Sequence, residues 1–123
     1  MSREEDAGSD LFAPESVVLS AHTTTRVPLG FAAAFSKRFW AKLEDRSSMA
    51  KRGLHVLAGV IESEYRGEWC VVLCNFSDVD YIIKAGDRIC QVVFKERVKG
   101  VFLEVEDLCE TVRGEGGFGS SGV

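Results

Sequence analysis

Short apolar runs, broken at close intervals by glycine, proline, aspartate and serine, commit this chain to β-structure. Val17 to Leu19, Thr24 to Val27, Phe39 to Leu43, His55 to Ile61, Glu68 to Phe76, Tyr81 to Lys84, Ile89 to Phe94 and Phe102 to Val105 all read as strands. Eight or so such strands predict an all-β sandwich, jelly roll or barrel. Phe39, Ala41 and Leu43 alternate with Trp40, Lys42 and Glu44, the period of a strand with two distinct faces. Helix is confined to two stretches. Ser48 to Arg52 reads as one turn closed by Gly53, with Ser47 or Ser48 capping its start. Ala32 to Arg38 stays open between a helix, which its alanines favour, and a loop that packs Phe35 and Phe39 onto the core.

At 123 residues the chain is one domain with one core, and sealing every sheet edge alone is marginal at that size, so oligomerisation is expected. The formal net charge is −4 and no stretch is densely basic, which argues against a general nucleic-acid surface. Any anion site must use a few placed cations. No apolar run approaches membrane-spanning length, and Met1 to Asp6 is too polar for a signal peptide, so a cytoplasmic location is expected. Without an export signal, Cys70, Cys74, Cys90 and Cys109 read as reduced structural thiols, and no second ligand pair stands at zinc spacing.

Five segments carry chemistry. The end of the chain, Arg113 to Val123, holds five of the twelve glycines around one cation, one aromatic ring and two adjacent serines. Glycines let backbone N–H groups approach anionic oxygens, and Arg113, Phe118, Ser120 and Ser121 add a charge, a stacking face and donors. A Gly/Ser end is also what a disordered tail looks like; a tail that is mobile when empty and orders over a ligand satisfies both readings. Ala7-Gly8-Ser9-Asp10-Leu11 alone is turn chemistry. Asp45-Arg46-Ser47-Ser48 sets a guanidinium and two hydroxyls at the mouth of a helical turn, where an anion is favoured. Gly59 to Gly67 places Glu62, Glu64 and Tyr65 on a tight turn between apolar strands. Gly86 to Gln91 has Asp87 and Arg88 adjacent, able to pair at the start of a strand.

In this order and spacing the five segments, AGSDL, RSSM, GVIESEYRG, GDRICQ and RGEGGFGSSG, resemble the motifs of the homotrimeric dUTPases, from Ala7 to Gly122. The resemblance implies a jelly-roll-like, β-clip barrel with one short helical turn, spanning residues 1–112. It also implies a mobile glycine-rich arm, residues 113–123, that closes over a neighbour's site in a trimer with shared active sites. The implied activity is Mg²⁺-dependent hydrolysis of dUTP to dUMP and pyrophosphate by water attack at the α-phosphate. That limits uracil incorporation into DNA and supplies dUMP for thymidylate synthesis. By resemblance Asp10 holds waters of a Mg²⁺ carried by the triphosphate, and Arg46, Ser47 and Ser48 grip the phosphates. Glu62 falls at the position of the water-activating carboxylate, and Gln91 orients water. Gly59, Val60 and Ile61 present backbone to uracil, and Tyr65 packs on the deoxyribose. Phe118 stacks on the base, while Arg113, Gly119, Ser120 and Ser121 close over the phosphates.

The chain departs from the family pattern at Glu62, where aspartate is usual; the extra methylene moves the carboxylate by roughly an ångström. The first motif is preceded by fewer residues than is common, so an opening strand is missing and the sheet edge is either covered by another segment or exposed. His22 and His55 match no catalytic position and read as surface or structurally paired. Two other functions remain as alternatives. A dCTP deaminase shares the fold, but its glutamate has no counterpart in Leu73-Cys74-Asn75-Phe76 and it lacks the glycine-rich ending. A regulatory nucleotide-binding protein with weak catalysis would keep the pocket and use the closed state to contact a partner.

Overall fold

The computed structural model describes residues 6–116, which form nine strands and one helical turn. In order these are β1 (Ser9–Phe12), β2 (Val17–Leu19), β3 (Thr23–Pro28), β4 (Phe39–Glu44), α1 (Ser47–Ala50), β5 (Leu54–Leu57), β6 (Val60–Ile61), β7 (Cys70–Asn75), β8 (Tyr81–Ile83) and β9 (Arg88–Glu96). All pairings are antiparallel. They build sheets ordered β1-β9-β4-β6, β3-β7-β5 and β2-β8, the jelly-roll-like all-β fold that the strand pattern predicts. Among the described residues no helix is long and apolar enough to cross a membrane.

Alternation places the core. Ala41 and Leu43 of β4, Val71 and Leu73 of β7, Ile89 of β9 and Ile83 of β8 are all buried in one cluster. Each such leucine or isoleucine contributes about 1.5–3 kcal/mol relative to exposure. Among the described residues Asn75 is the buried polar exception, and it is fully used. Its Nδ2 donates to the carbonyls of Leu19 at 2.8 Å and Val79 at 2.9 Å, while its Oδ1 accepts from the Ser77 hydroxyl at 2.7 Å and backbone N–H at 3.0 Å. This side chain ties β2 to the β7–β8 turn.

Four expectations change. His55 to Ile61 is not one strand: it breaks at Ala58 and Gly59, both with positive φ, so β5 and β6 belong to different sheets. Phe102 to Val105 forms no strand; no described segment pairs with it, and all four residues are exposed. Ser9 to Phe12, which reads as a turn, pairs with β9. Neither serine caps α1. Arg46 occupies that position with no side-chain cap bond, its carbonyl accepting from Met49 and Ala50 N–H groups at 3.0 Å. Ala32 to Arg38 resolves as a loop, with Phe35 packed edge-on to Trp69 and Phe94 at 6.4 and 5.1 Å between ring centres. All four cysteines are free thiols.

Candidate active site

The break between β5 and β6 shapes the first cavity. Gly59, at φ +99°, accepts the Leu43 N–H at 2.8 Å through its carbonyl, and a Cβ on Gly59 would stand 2.8 Å from the Leu43 carbonyl oxygen. Only glycine permits that approach. β6 thereby turns onto β4, with Ile61 opposite Ala41 and Val60 opposite Lys42. Beyond it the chain reverses: Tyr65 N–H donates to the Glu62 carbonyl at 3.1 Å, and Arg66 Nη1 donates to the Ser63 carbonyl at 2.7 Å. The Tyr65 ring lies over Gly67, where a Cβ would overlap it, and its hydroxyl donates to the Glu68 carbonyl at 2.8 Å.

These constraints leave a cavity of about 500 Å³ lined by Leu43, Gly59, Val60, Ile61, Tyr65 and Trp69, with Glu62 among its walls. Glu62 also lines a neighbouring, charged cavity with Lys37, Arg66 and Arg97. The candidate base thus stands between an apolar chamber and a polar one.

A second constellation forms where β1, β9 and the β4–α1 junction meet. Asp10 lies opposite Gln91, which in turn lies opposite Glu44. Gly8 gives the Gln91 amide room, since a Cβ there would collide with Gln91 Oε1. Gln91 Nε2 donates to the Asp45 carbonyl at 2.9 Å. Asp10 meets Arg46 Nε at 3.5 Å and Arg88 Nη1 at 3.6 Å, and Arg46 Nη1 donates to the Arg88 carbonyl at 3.2 Å. Arg88 therefore pairs with Asp10 rather than with Asp87, whose carboxylate accepts the Lys84 N–H at 2.8 Å. Asp6, Asp10, Arg46, Ser47 and Gln91 line a cavity of about 420 Å³. Arg46 also borders an adjoining one of about 380 Å³ that includes Ser48, Arg52 and Arg88.

Among the described residues the two constellations share no lining residue. Asp10, Arg46, Ser47, Ser48 and Gln91 gather in one region; Gly59, Val60, Ile61, Glu62 and Tyr65 gather in the other. Arg113 is exposed and its carbonyl accepts the Gly116 N–H at 2.9 Å, apart from both. Phe118, Gly119, Ser120 and Ser121 lie outside the described residues.

Among the described residues no cluster of three metal-ligating side chains exists. Asp10, with Asp6 in the same cavity, suits a hard cation that keeps most of its waters and arrives with a phosphate ligand, as Mg²⁺ does. Beneath this region Cys90 is buried beside Asp10 and Asp45. Burial, then those two carboxylates, push its thiol from 9.0 up to about 12, so it stays protonated.

A model of the dUTPase family matches residues 1–122. The chain belongs to the dUTPase family. It is 45% identical over 118 residues to the deoxyuridine 5′-triphosphate nucleotidohydrolase of Oryza sativa subsp. japonica, covering 95% of this chain and 69% of that one. The same enzyme of Paramecium bursaria Chlorella virus 1 is 43% identical over 124 residues, covering 98% and 86%. Among solved structures, the Staphylococcus bacteriophage 80alpha dUTPase with dUpNHpp superposes with a TM-score of 0.91 at 26% identity, covering 100% of this chain and 90% of that one.

Sequence reading does not find the residues that complete the dUTPase cavities from elsewhere in the chain. Arg26, Trp69, Cys70 and Val72 wall the hairpin cavity. Arg26, Cys70 and Val72 read as strand residues, but only the pairing of β3 with β7 puts them, and Trp69 just ahead of β7, behind the hairpin. Trp69 is buried and packs at a tilt against Phe31, 5.1 Å between ring centres. His22 and His55 each meet an aspartate, Asp78 and Asp45, as structurally paired histidines do.

Proposed function

We propose that this chain hydrolyses dUTP to dUMP and pyrophosphate, with the hairpin cavity holding the nucleoside and the Asp10–Arg46–Gln91 region holding the triphosphate. The observation that carries the reading is the placement of Glu62, on the wall of an apolar chamber and also of a charged one. The backbone of Gly59 to Ile61 reads the uracil edge. Tyr65, fixed by its bond to Glu68, packs on the deoxyribose and leaves no room for a 2′-hydroxyl.

Water attacks the α-phosphorus in line with the bridging oxygen. The new P–O bond forms as the α–β bridging bond breaks, Glu62 takes the water's proton, and pyrophosphate leaves with the electron pair. Gln91 aligns the water or an α-phosphate oxygen. Arg46 and the backbone and hydroxyls of Ser47 and Ser48 offset charge on the phosphates, and Arg113, Gly119, Ser120 and Ser121 of the arm add to this once closed. Phe118 covers the base, and closure excludes bulk water. Asp10 would hold Mg²⁺ through water; the ion, when bound, supplies further neutralisation of the leaving pyrophosphate.

The active unit is a homotrimer in which sites are completed across subunits. Two features support this. Gly59 to Glu62 and Tyr65 line one cavity of the chain while Asp10, Arg46 and Gln91 line another, and Val98, Val101, Phe102, Leu103, Leu108 and Val112 are exposed in a segment with no strand. Pyrophosphate release measured on dUTP, dCTP, dTTP and UTP, with and without Mg²⁺, tests the reading. Release from dUTP alone, dependent on Mg²⁺, is expected; ammonia from dCTP, or no release with dUTP bound, would overturn it.

A further inference from the structure

Asp45, which lies just ahead of the RSSM motif, holds the junction that presents Arg46. Its Oδ1 accepts the Val56 N–H at 2.5 Å, and its Oδ2 meets His55 Nδ1. β5 is the last strand of the β3-β7-β5 sheet, so with β7 on one side its other edge is open. The Val56 N–H turns outward to Asp45 instead of into a ladder. The same residue's carbonyl receives Gln91 Nε2. Because only the nitrogen of a glutamine amide can donate, this acceptor decides which end of Gln91 faces the β4–α1 junction and which faces Gly8.

We propose that Asp45 is a positioning residue for the hydrolysis: its carboxylate, clamped by His55 and the Val56 N–H, anchors the backbone that orients the Gln91 amide and sets the origin of the Arg46 side chain. The inference rests on the roles given above to Gln91 and Arg46. The His55 side chain is 53% exposed, so its pairing with Asp45 contributes little to global stability; its effect is on geometry. Without the carboxylate the junction loses its tie to β5, and displacement of a catalytic amide by about an ångström lowers a rate by up to about a hundredfold.

The test compares Asp45→Ala, Asp45→Asn, Gln91→Ala and the double variant Asp45→Ala/Gln91→Ala by steady-state dUTP hydrolysis and thermal unfolding. Asp45→Ala should lower kcat by about tenfold or more with KM changed by less than about threefold. Asp45→Asn should stay within about threefold of wild type, because its amide oxygen still accepts the Val56 N–H and its nitrogen still faces His55. Asp45→Ala should slow the Gln91→Ala enzyme by clearly less than it slows wild type, since the share of its effect that runs through Gln91 is already lost. Losses that multiply, or a normal rate in Asp45→Ala, overturn the inference while leaving the site assignment in place. A normal rate in Gln91→Ala overturns the assignment, and the inference with it. Should Asp45→Ala not fold, Asp45→Ser carries the same coupling test.

Discussion

Gly59 and Leu43 are pressed backbone to backbone, the Leu43 N–H donating to the Gly59 carbonyl at 2.8 Å, with the missing Cβ of Gly59 leaving room for the Leu43 carbonyl. That contact sets the floor of the hairpin cavity. Gly59→Ala would force both a steric overlap and a strained positive φ, costing about 1–3 kcal/mol. Urea unfolding should show that loss, and KM for dUTP should rise because β6 is pushed off β4. An unchanged midpoint and KM would mean that the close approach is dispensable.

Glu62→Gln keeps the size and polarity of the side chain but cannot take a proton. Turnover should fall by about a hundredfold or more while a non-hydrolysable dUTP analogue still binds within about threefold. Calorimetric titration alongside a pyrophosphate assay separates the two. Normal turnover in this variant would transfer the base role to another carboxylate, with Glu64 next in line.

Tyr65 is held by Gly67 beneath its ring and by the Glu68 carbonyl. Tyr65→Phe removes only the hydrogen bond and should cost about 1 kcal/mol of stability with modest kinetic change. Tyr65→Ala should erode discrimination between dUTP and UTP by about tenfold or more, read as the ratio of kcat/KM values. Full discrimination in Tyr65→Ala would place sugar selection elsewhere.

Deleting residues 113–123 should leave the β-domain intact, because none of Arg113 to Gly116 belongs to the buried cluster. Circular dichroism and the oligomeric state should match the full chain, while kcat/KM for dUTP should fall by about a hundredfold or more from lost closure and charge. A deletion variant with full activity would remove the arm from the mechanism.

The thiols should differ sharply. Cys109 is exposed and should be alkylated at neutral pH in the native protein, whereas Cys90, protonated to about pH 12 and buried, should react only on unfolding. An acid whose folded pKa is raised stabilises the fold below its unfolded pKa, here 9.0, and loses that contribution as pH rises towards about 12. Cys90→Ala should therefore flatten the alkaline loss of stability in that window, as followed by denaturant midpoints.

Much of this was legible from residue order. The β4 core follows from alternating apolar residues, because a half-buried strand demands that period, while β3, β7, β8 and β9 were legible as short apolar or β-branched runs between turn signals. The five motifs were legible as those of the dUTPase family because each is a short local spacing. Where reading along the chain went astray, the cause was nonlocal. His55 to Ile61 looks continuous, yet Gly59 docks on Leu43 and divides it; Asp10 looks like turn chemistry, yet β9 recruits it into a sheet. Phe102 to Val105 has strand composition but no described partner, and a strand exists only as part of a pair.

By itself the sequence determined the fold class, the family and the identities of Glu62, Tyr65, Arg46 and the glycine-rich ending. Tertiary structure alone decided that Asp10 lies against Arg46 and Arg88, that Gln91 leans on the Asp45 carbonyl, and that Glu62 and Tyr65 line a different cavity from Asp10, Arg46 and Gln91. The physical reason is that side-chain identity and period are local properties, whereas register across β1, β9 and β4 is fixed only when distant strands meet and bury their shared face.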